Sequence, residues 1–195
     1  MTRTCNSFLA CTSPYATDVG WTEPDLEKAR ALVRESGYDG KPVVVLDVAD
    51  YFTHPHALLV GQMLEEIGIK ADVQGMDSTT WVARRAKRDD WSLAVIAPSG
   101  IDAGDPLSMF ALRANCDKAW YGWPCDAQLE KLRAQYADAT DVAARKQLVK
   151  QIQLRALEVG PYWPLGMVFG IRGYRADLDG LPKSPVPVYW NIERR

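Results

Sequence analysis

Apolar residues recur at two alternating spacings along the chain, and the alternation predicts the order of the first elements. Residues 23–36 carry apolar side chains at helical spacing, with Thr22 available as a cap and Gly37 as a stop. The run PVVVLDV at 42–48 is almost entirely apolar and rich in β-branched residues, which is typical of a strand covered on both faces. The pattern therefore opens with a helix and a buried strand.

The same alternation continues along the next part of the chain. Thr53 or His54 can cap a helix that ends at Gly68, and the segment IKADVQG follows as a second strand. Residues 78–88 predict a short helix, and residues 91–98 predict a third strand. Strands alternating with helices form parallel sheets with right-handed crossovers, so the sequence predicts an α/β fold with a mostly parallel sheet.

Two longer amphipathic helices are predicted next, at residues 126–138 and 141–159. The later segment YWPLGMVFGIRGYRADLDGL predicts one or two strands and a turn. The prolines of the tail KSPVPVYWNIERR exclude a helix or a central strand, so we expect the tail to dock as an extended edge.

We expect one lobe over residues 1–195. Within it, residues 1–21 form a lead-in, residues 22–179 form the body, and residues 180–195 form the extended tail.

Composition and charge narrow the classes of function. The chain has 195 residues, 47% of them hydrophobic. Its formal net charge is -2, so it lacks the excess of positive charge that favours binding to nucleic acid. No apolar run approaches the ~20 residues that span a bilayer. The start MTRTCNSFLACTSPY lacks the basic, apolar and small-residue regions that follow one another in a signal peptide. We therefore expect no signal peptide in this chain.

The four cysteines form two closely spaced pairs, Cys5 with Cys11 and Cys116 with Cys125. Two local disulfides are the simplest interpretation, and such bridges persist in oxidising compartments. A structural zinc site is the alternative. It is disfavoured because zinc ligands are usually paired at shorter spacing and the only histidines, His54 and His56, lie far from both pairs in the sequence.

The loops that follow the third strand are the candidate site, because ligands of such sheets collect at the carboxyl ends of the strands. These loops are SGIDAGDPLSMF and NCDKAWYGWPCD. An enzyme would need a cysteine nucleophile with a histidine base, or a carboxylate pair such as Asp102 and Asp105. The chain contains none of the hydrolase, zinc-protease, phosphate-loop or dinucleotide motifs. We therefore expect no enzyme, no cofactor and no metal.

Six segments in a fixed order resemble the C-terminal lobe of the family 5 extracellular solute-binding proteins, the dipeptide and oligopeptide receptors of bacterial ABC importers. They are PDLEKARALVRESGYDG, LLVGQMLEEIGIKADVQGMDSTTW, IDAGDPLSMF, the cysteine-flanked loop, DAQLEKLRAQYADATDVAARKQLVKQIQLRALEVGPYWPLG and SPVPVYWNI. The resemblance implies a lobe of the type II periplasmic-binding-protein fold. It also implies that a second, N-terminal lobe, absent here, closes over a peptide or similar small solute.

The same resemblance implies an extracytoplasmic, periplasmic location for the full-length parent and an inner-membrane ABC permease as its partner. The missing lobe would carry the export signal, and the tail would return to that lobe. A stand-alone interaction module is the alternative, in which an exposed cleft face drives homodimerisation.

Carried over by position, Asp102 matches the loop where peptide-binding members place an aspartate against the α-amino group of the peptide. This chain has Ala97 and Pro98 where relatives often have a tryptophan, which departs from the pattern for a simple peptide. The alternative role of Asp102 is a turn cap. Asp105, beside Pro106, is expected to be a helix cap.

The disulfide Cys116–Cys125 resembles the bridge of dipeptide-binding relatives. The resemblance implies that Trp120, Tyr121 and Trp123 lie at the entrance of the cleft, where their rigid rings can contact a solute. The alternative is that the rings pack beneath their own loop as a satellite cluster.

Overall fold

The computed structural model describes residues 2–171, 173–182, 184 and 186–195. In chain order, the helices and strands of the described residues are β1 (Thr2–Arg3), α1 (Leu26–Glu35), β2 (Val43–Val48), α2 (His54–Glu66), β3 (Ala71–Met76), α3 (Ser78–Arg85), β4 (Leu93–Ala94), α4 (Ala127–Asp138), α5 (Val142–Val159), β5 (Met167–Val168), β6 (Leu178–Asp179) and β7 (Glu193–Arg194). Short 3₁₀ turns lie at Phe110–Leu112 and Cys116–Lys118.

These residues form two compact units, each described by itself. The first unit contains the residues up to Gly20, Pro98–Asn115 and Asp126–Arg195, and the second contains Trp21–Ala97 together with Cys116–Cys125. The predicted division into lead-in, lobe body and tail stays a prediction.

A three-stranded parallel sheet in the order β3-β2-β4 forms the centre of the second unit. The central strand β2 is the one expected from its apolar run, and Val45 and Leu46 are fully buried. Burying a side chain of this size contributes about 1.5–3 kcal/mol. The predicted α/β class with a parallel sheet is therefore confirmed.

Helix α2 packs closely on the sheet through its small residues. Ala57 and Gly61 are its buried positions, and a Cβ atom built on Gly61 would lie 2.8 Å from Val73 Cγ2 of β3. The helix begins after Thr53, with Pro55 in its first turn as expected, but the Thr53 side chain makes no capping hydrogen bond. Close approach of helix and strand thus depends on the absence of a side chain at residue 61.

Three predicted boundaries of the second unit were wrong. Helix α1 begins at Leu26 because Asp25, not Thr22, caps it, its carboxylate accepting a hydrogen bond from the Lys28 N–H at 2.9 Å. Helix α3 stops at Arg85 instead of residue 88. The third strand contains only Leu93–Ala94, since β4 pairs with β2 at two positions and Pro98 beyond it has no N–H to extend the ladder.

Helices α4 and α5 pack against each other in the first unit, and their predicted starts are confirmed. The Asp126 carboxylate accepts a hydrogen bond from the Leu129 N–H at 2.7 Å, and the Asp141 carboxylate accepts one from the Ala144 N–H at 2.8 Å. Helix α5 ends at Gly160, whose φ of 63° is left-handed and therefore suits glycine.

The N-terminal segment lies in the core of the first unit. Phe8 is 2% exposed, and its ring packs edge-on against Tyr162 with 5.0 Å between the centroids. The Tyr162 hydroxyl donates a hydrogen bond to the Phe8 carbonyl, and burial raises the pKa of Tyr162. Cys5 and Cys11 form the first of the two predicted disulfides, with 5.8 Å between their Cα atoms.

The C-terminal part of the first unit forms two short antiparallel pairs. β5 pairs with β1, and β6 pairs with β7, so the end of the tail is an extended strand as predicted. Arg172, Lys183 and Pro185 of the predicted strand and tail lie outside the described residues. Across the described ranges, the helices are all too short or too polar to cross a membrane.

Candidate functional site

The segment that follows β4 is a series of turns in the first unit, and it contains Asp102. The Ser99 hydroxyl donates a hydrogen bond to Asp102 Oδ2 at 2.8 Å, and the Asp102 backbone N–H donates one to Ser99 Oγ at 3.2 Å. The Asp102 residue is exposed. Asp102 is therefore a turn residue whose side chain can be reached from solvent.

Asp105 in the same segment has a local structural role. Its Oδ1 accepts hydrogen bonds from the Leu107 N–H at 2.7 Å and the Ser108 N–H at 3.0 Å. The predicted helix-capping role was wrong: no helix begins directly after Asp105 in the described chain, and its carboxylate caps a turn instead.

An ion pair on α4 supports the Asp102 segment and the residues that follow it. Arg133 is buried, and its Nε donates a hydrogen bond to the Pro106 carbonyl at 3.1 Å. Its Nη1 pairs with Glu130 Oε1 at 2.5 Å, and the same oxygen accepts the Ala114 N–H at 2.8 Å. The sequence did not reveal this support, because spacing on α4 alone does not identify the loop carbonyl that Arg133 meets.

The loop closed by Cys116 and Cys125 belongs to the second unit. The predicted disulfide is present, with 4.1 Å between the two Cα atoms, and the Cys116 N–H donates a hydrogen bond to the Pro124 carbonyl at 3.1 Å. Cys116 and Trp123 have left-handed φ values of 60° and 47°, which few residues other than glycine adopt. The covalent bridge thus closes a tightly folded loop.

The three aromatic rings of this loop lie together. Trp120 and Tyr121 pack edge-on with 5.1 Å between their centroids, and Tyr121 and Trp123 with 6.1 Å. Trp123 also contacts Trp91, at 6.2 Å. All three loop rings are partly exposed, so each retains surface that a solute could contact.

Arginines in and just after α3 stack on the same rings. The Arg85 guanidinium carbon lies 4.6 Å from the Tyr121 ring centroid and 5.1 Å from that of Trp120, and Arg88 lies 4.5 Å from that of Trp123. Cation–π contacts of this kind contribute from about 0.5 to 2 kcal/mol, depending on desolvation. Sequence reasoning missed both arginines. The sequence carried no signal for these contacts, because the rings lie more than thirty residues further along the chain.

The structure places the four predicted solute contacts in different units. Trp120, Tyr121 and Trp123 are brought together in the second unit, whereas Asp102 belongs to the first. The ligand-binding role of the four residues stays a prediction.

The four cysteines and His54, which were considered for catalysis, have other partners. Both cysteine pairs are disulfides, so no thiol is free to act as a nucleophile in the described chain, which includes all four cysteines. His54 Nδ1 donates a hydrogen bond to the buried Asp47 carboxylate at 2.5 Å. Among the described residues, His, Cys, Asp and Glu form no cluster that could hold a metal ion.

Comparison with protein families identifies the chain. The model of the bacterial extracellular solute-binding proteins, family 5 Middle, matches residues 4–153. The chain belongs to this family. A relative from Sinorhizobium fredii, named "Probable peptide ABC transporter periplasmic-binding protein y4tO", is 32% identical over 185 residues, covering 91% of this chain and 35% of the relative. The chain therefore spans about a third of the length of this curated relative.

Solved structures agree on the fold. The dipeptide-binding protein of Pseudoalteromonas sp. SM9913, in complex with Met-Leu, aligns with a TM-score of 0.75 at 20% identity, over 98% of this chain and 40% of that one. CtaP, an ABC transporter substrate-binding protein of Listeria monocytogenes, aligns with a TM-score of 0.72 at 24% identity, over 85% and 34% of the two chains. The expected periplasmic-binding-protein fold is confirmed.

Proposed function

We propose that this family 5 chain supplies part of a solute-binding protein that captures a peptide or a similar small solute for an ABC importer. The match of the family model over residues 4–153 carries the proposal, and the relative named as a peptide transporter component supports the solute class. The relatives are named as binding proteins, so the role assigned is binding and not catalysis. An extracytoplasmic location and an ABC permease partner belong to the same proposal.

Asp102 is the proposed contact for a cationic group, such as the α-amino group of a peptide. Its side chain is exposed, and its position is held by the Ser99 hydrogen bonds. A fixed carboxylate and an ammonium group form a charge-assisted hydrogen bond, which is stronger than a neutral one. The turn role of Asp102 is compatible with this contact, since holding the residue in place preorganises the carboxylate.

Trp120, Tyr121 and Trp123 are the proposed apolar contacts. The disulfide and the arginine contacts fix the loop, so its rings can offer area to a solute at a low cost in conformational entropy. These contacts constitute a second, separate element of the proposal.

Calorimetry with Met-Leu and its N-acetyl derivative tests the proposal for Asp102. We expect millimolar binding of the free dipeptide, weakened about tenfold by N-acetylation or by Asp102→Asn, because each removes one partner of the charged pair. Asp89→Asn removes an exposed carboxylate elsewhere and should leave the affinity unchanged. Equal binding of both compounds to wild type and Asp102→Asn would refute the amino-group contact.

Self-association is a second candidate function, and the exposed face of α2 favours it. Leu58, Leu59 and Met63 are 45%, 47% and 49% exposed on this one helix. Adjacent apolar side chains on a surface favour association. Light scattering distinguishes the candidates, since a mass that doubles with concentration supports a dimer and a constant monomer mass rejects it.

A further inference from the structure

The turn that contains Asp102 is bound to a segment near the start of the chain. The Ala10 N–H donates a hydrogen bond to the Ala103 carbonyl at 2.8 Å, and the Ser13 hydroxyl donates one to the Gly104 carbonyl at 2.5 Å. Both acceptors directly follow Asp102 in the sequence, and all five residues belong to the first unit. The N-terminal segment therefore holds the backbone that leaves Asp102.

These two hydrogen bonds differ from the ones within the turn. The Ser99 hydrogen bonds orient the Asp102 carboxylate inside its own turn, and the Ala103 N–H donates to the Ser99 carbonyl at 3.0 Å. Such local contacts move with the turn, so they do not fix its place on the rest of the unit. Ser13 is 91 residues away from its acceptor in the sequence, so its hydrogen bond does fix that place.

The segment that carries the two donors is itself held firmly. A disulfide joins Cys5 to Cys11 just before Ser13. The buried Gln153 side chain of α5 accepts a hydrogen bond from the Phe8 N–H at 3.0 Å and donates one to the Asn6 carbonyl at 3.0 Å. A covalent bridge and a helix thus support the donors from the side opposite to the turn.

The Ser13 side chain is oriented by its own neighbours. Its Oγ accepts a hydrogen bond from the Tyr15 N–H at 3.1 Å, and its backbone N–H donates one to the Ala10 carbonyl at 2.7 Å. The Tyr15 ring packs edge-on against Tyr136 of α4, with 5.7 Å between the centroids. A serine hydroxyl has one hydrogen to donate, and here the Gly104 carbonyl accepts it.

We propose that Ser13 is a positioning residue for Asp102 and thereby sets the affinity for the amino group of the solute. The inference deepens the proposed function and rests on it for the contact between Asp102 and that amino group. Hydrogen bonds weaken steeply when donor and acceptor are misaligned, so a small displacement of the turn weakens this contact. Ser13 acts through the backbone of the turn and not by touching the solute.

The affinities of Met-Leu and N-acetyl-Met-Leu, measured by NMR titration, test the effect on the site. Their ratio is expected to be about tenfold in wild type. Ser13→Ala should reduce the ratio to about threefold or less, with the affinity for the acetylated compound changed less than about twofold. A general loss of folded protein would weaken both compounds equally and leave the ratio unchanged. A wild-type ratio in Ser13→Ala would overturn the proposal.

Thr12→Ala is the matched control for this measurement. It removes an exposed hydroxyl from the adjacent position and should leave the ratio of affinities unchanged. A ratio that falls equally in Thr12→Ala and Ser13→Ala would contradict a specific role of the Ser13 hydroxyl.

Amide hydrogen exchange tests the position of the turn without any solute. The Ala103 and Gly104 N–H groups donate hydrogen bonds within the turn. We expect Ser13→Ala to speed their exchange about threefold to tenfold, because the turn opens more easily when its anchor is lost. The Ala144 N–H, capped by Asp141 on α5, should keep its wild-type rate. Unchanged exchange at both turn amides would contradict the positioning role.

The two measurements distinguish failure of this inference from failure of the proposed function. Equal affinity of wild type for both compounds would refute the amino-group contact of Asp102, and the exchange rates would then decide whether Ser13 positions the turn. A tenfold ratio that persists in Ser13→Ala would refute the role of Ser13 and leave the Asp102 contact standing.

Discussion

At the scale of single residues, Asp126 combines two interactions in one carboxylate. It caps α4 through the Leu129 N–H and accepts hydrogen bonds from the Arg155 guanidinium on both oxygens. The hydrogen bond from Arg155 holds the pKa of Asp126 below its usual value. A lowered folded-state pKa means that this contribution to stability is complete above the ordinary range for a carboxyl group. It is lost as the pH falls through the lowered value.

We therefore predict that Asp126→Ala lowers the free energy of unfolding by about 1–3 kcal/mol at pH 7, through loss of the cap and of the charged hydrogen bonds. The difference from wild type should shrink at pH values below that lowered pKa. Urea unfolding across an acid pH series measures both. Asp138→Ala, at the exposed end of the same helix, should change stability by less than about 0.5 kcal/mol.

Arg133 is the second residue with a predictable effect. It is buried between the Pro106 carbonyl and Glu130, so Arg133→Met would leave the Glu130 carboxylate without its cation. We expect a loss of about 3 kcal/mol in the free energy of unfolding. Lys131→Met, an exposed neighbour on α4, is the control. Similar denaturation midpoints for the two variants would show that the Arg133 pair adds little.

Local contacts of single residues could be predicted from the sequence, whereas contacts between distant segments could not. Asp126 and Asp141 were predictable caps, because a cap bonds to an N–H three residues along the chain. The contacts of Arg85 were not predictable, because its ring partners Trp120 and Tyr121 follow it by more than thirty residues and depend on how the loop folds back. Asp102 and the loop rings were singled out through family resemblance, and their role still awaits the binding tests.

At the scale of elements, the packing of α2 on the sheet predicts the outcome of Gly61→Ala. Alanine favours a helix by about 1 kcal/mol over glycine, but its Cβ would lie 2.8 Å from Val73 Cγ2. We expect the steric term to dominate and the protein to lose about 1–2 kcal/mol. Gln62→Ala, one position further and exposed, should be neutral or slightly stabilising. Thermal unfolding of the two variants decides the sign.

The predicted bounds agreed best with the structure where burial or local caps define an element. β2 is defined by its buried apolar run, and α5 by the caps Asp141 and Gly160. The third strand was predicted too long because a run of apolar residues does not reveal how many backbone partners a neighbouring strand offers. β4 finds partners only at Val45 and Leu46 of β2. The length of such a strand is set by pairing, which is a tertiary property.

At the scale of the whole molecule, the chain covers 35% of a curated relative, and on the proposed function we predict that this chain by itself binds solute weakly. Closed sites typically bury 70–90% of a ligand, and a part of a site contacts only some of that surface. If a complete protein binds at about 1 µM, half the interaction free energy corresponds to a dissociation constant of about 1 mM. Calorimetry of this chain with Met-Leu should give that range, and micromolar affinity would mean that these residues form a nearly complete site.

The disulfide that closes the loop between Cys116 and Cys125 affects which sequence changes the protein can accept. The Cα atoms of Cys116 and Cys125 lie 4.1 Å apart, and the Asp126 N–H donates a hydrogen bond to the Ala114 carbonyl at 2.9 Å just outside the bridge. The backbone therefore enters and leaves the loop at nearly the same place. This does not depend on which residues occupy positions 117–124. We expect substitutions at exposed positions of the loop to change the side chains it presents, while the bridge and the Asp126 hydrogen bond hold the flanking backbone. If its rings contact the solute as proposed, this loop is a segment where solute preference can change while the rest of the fold is kept.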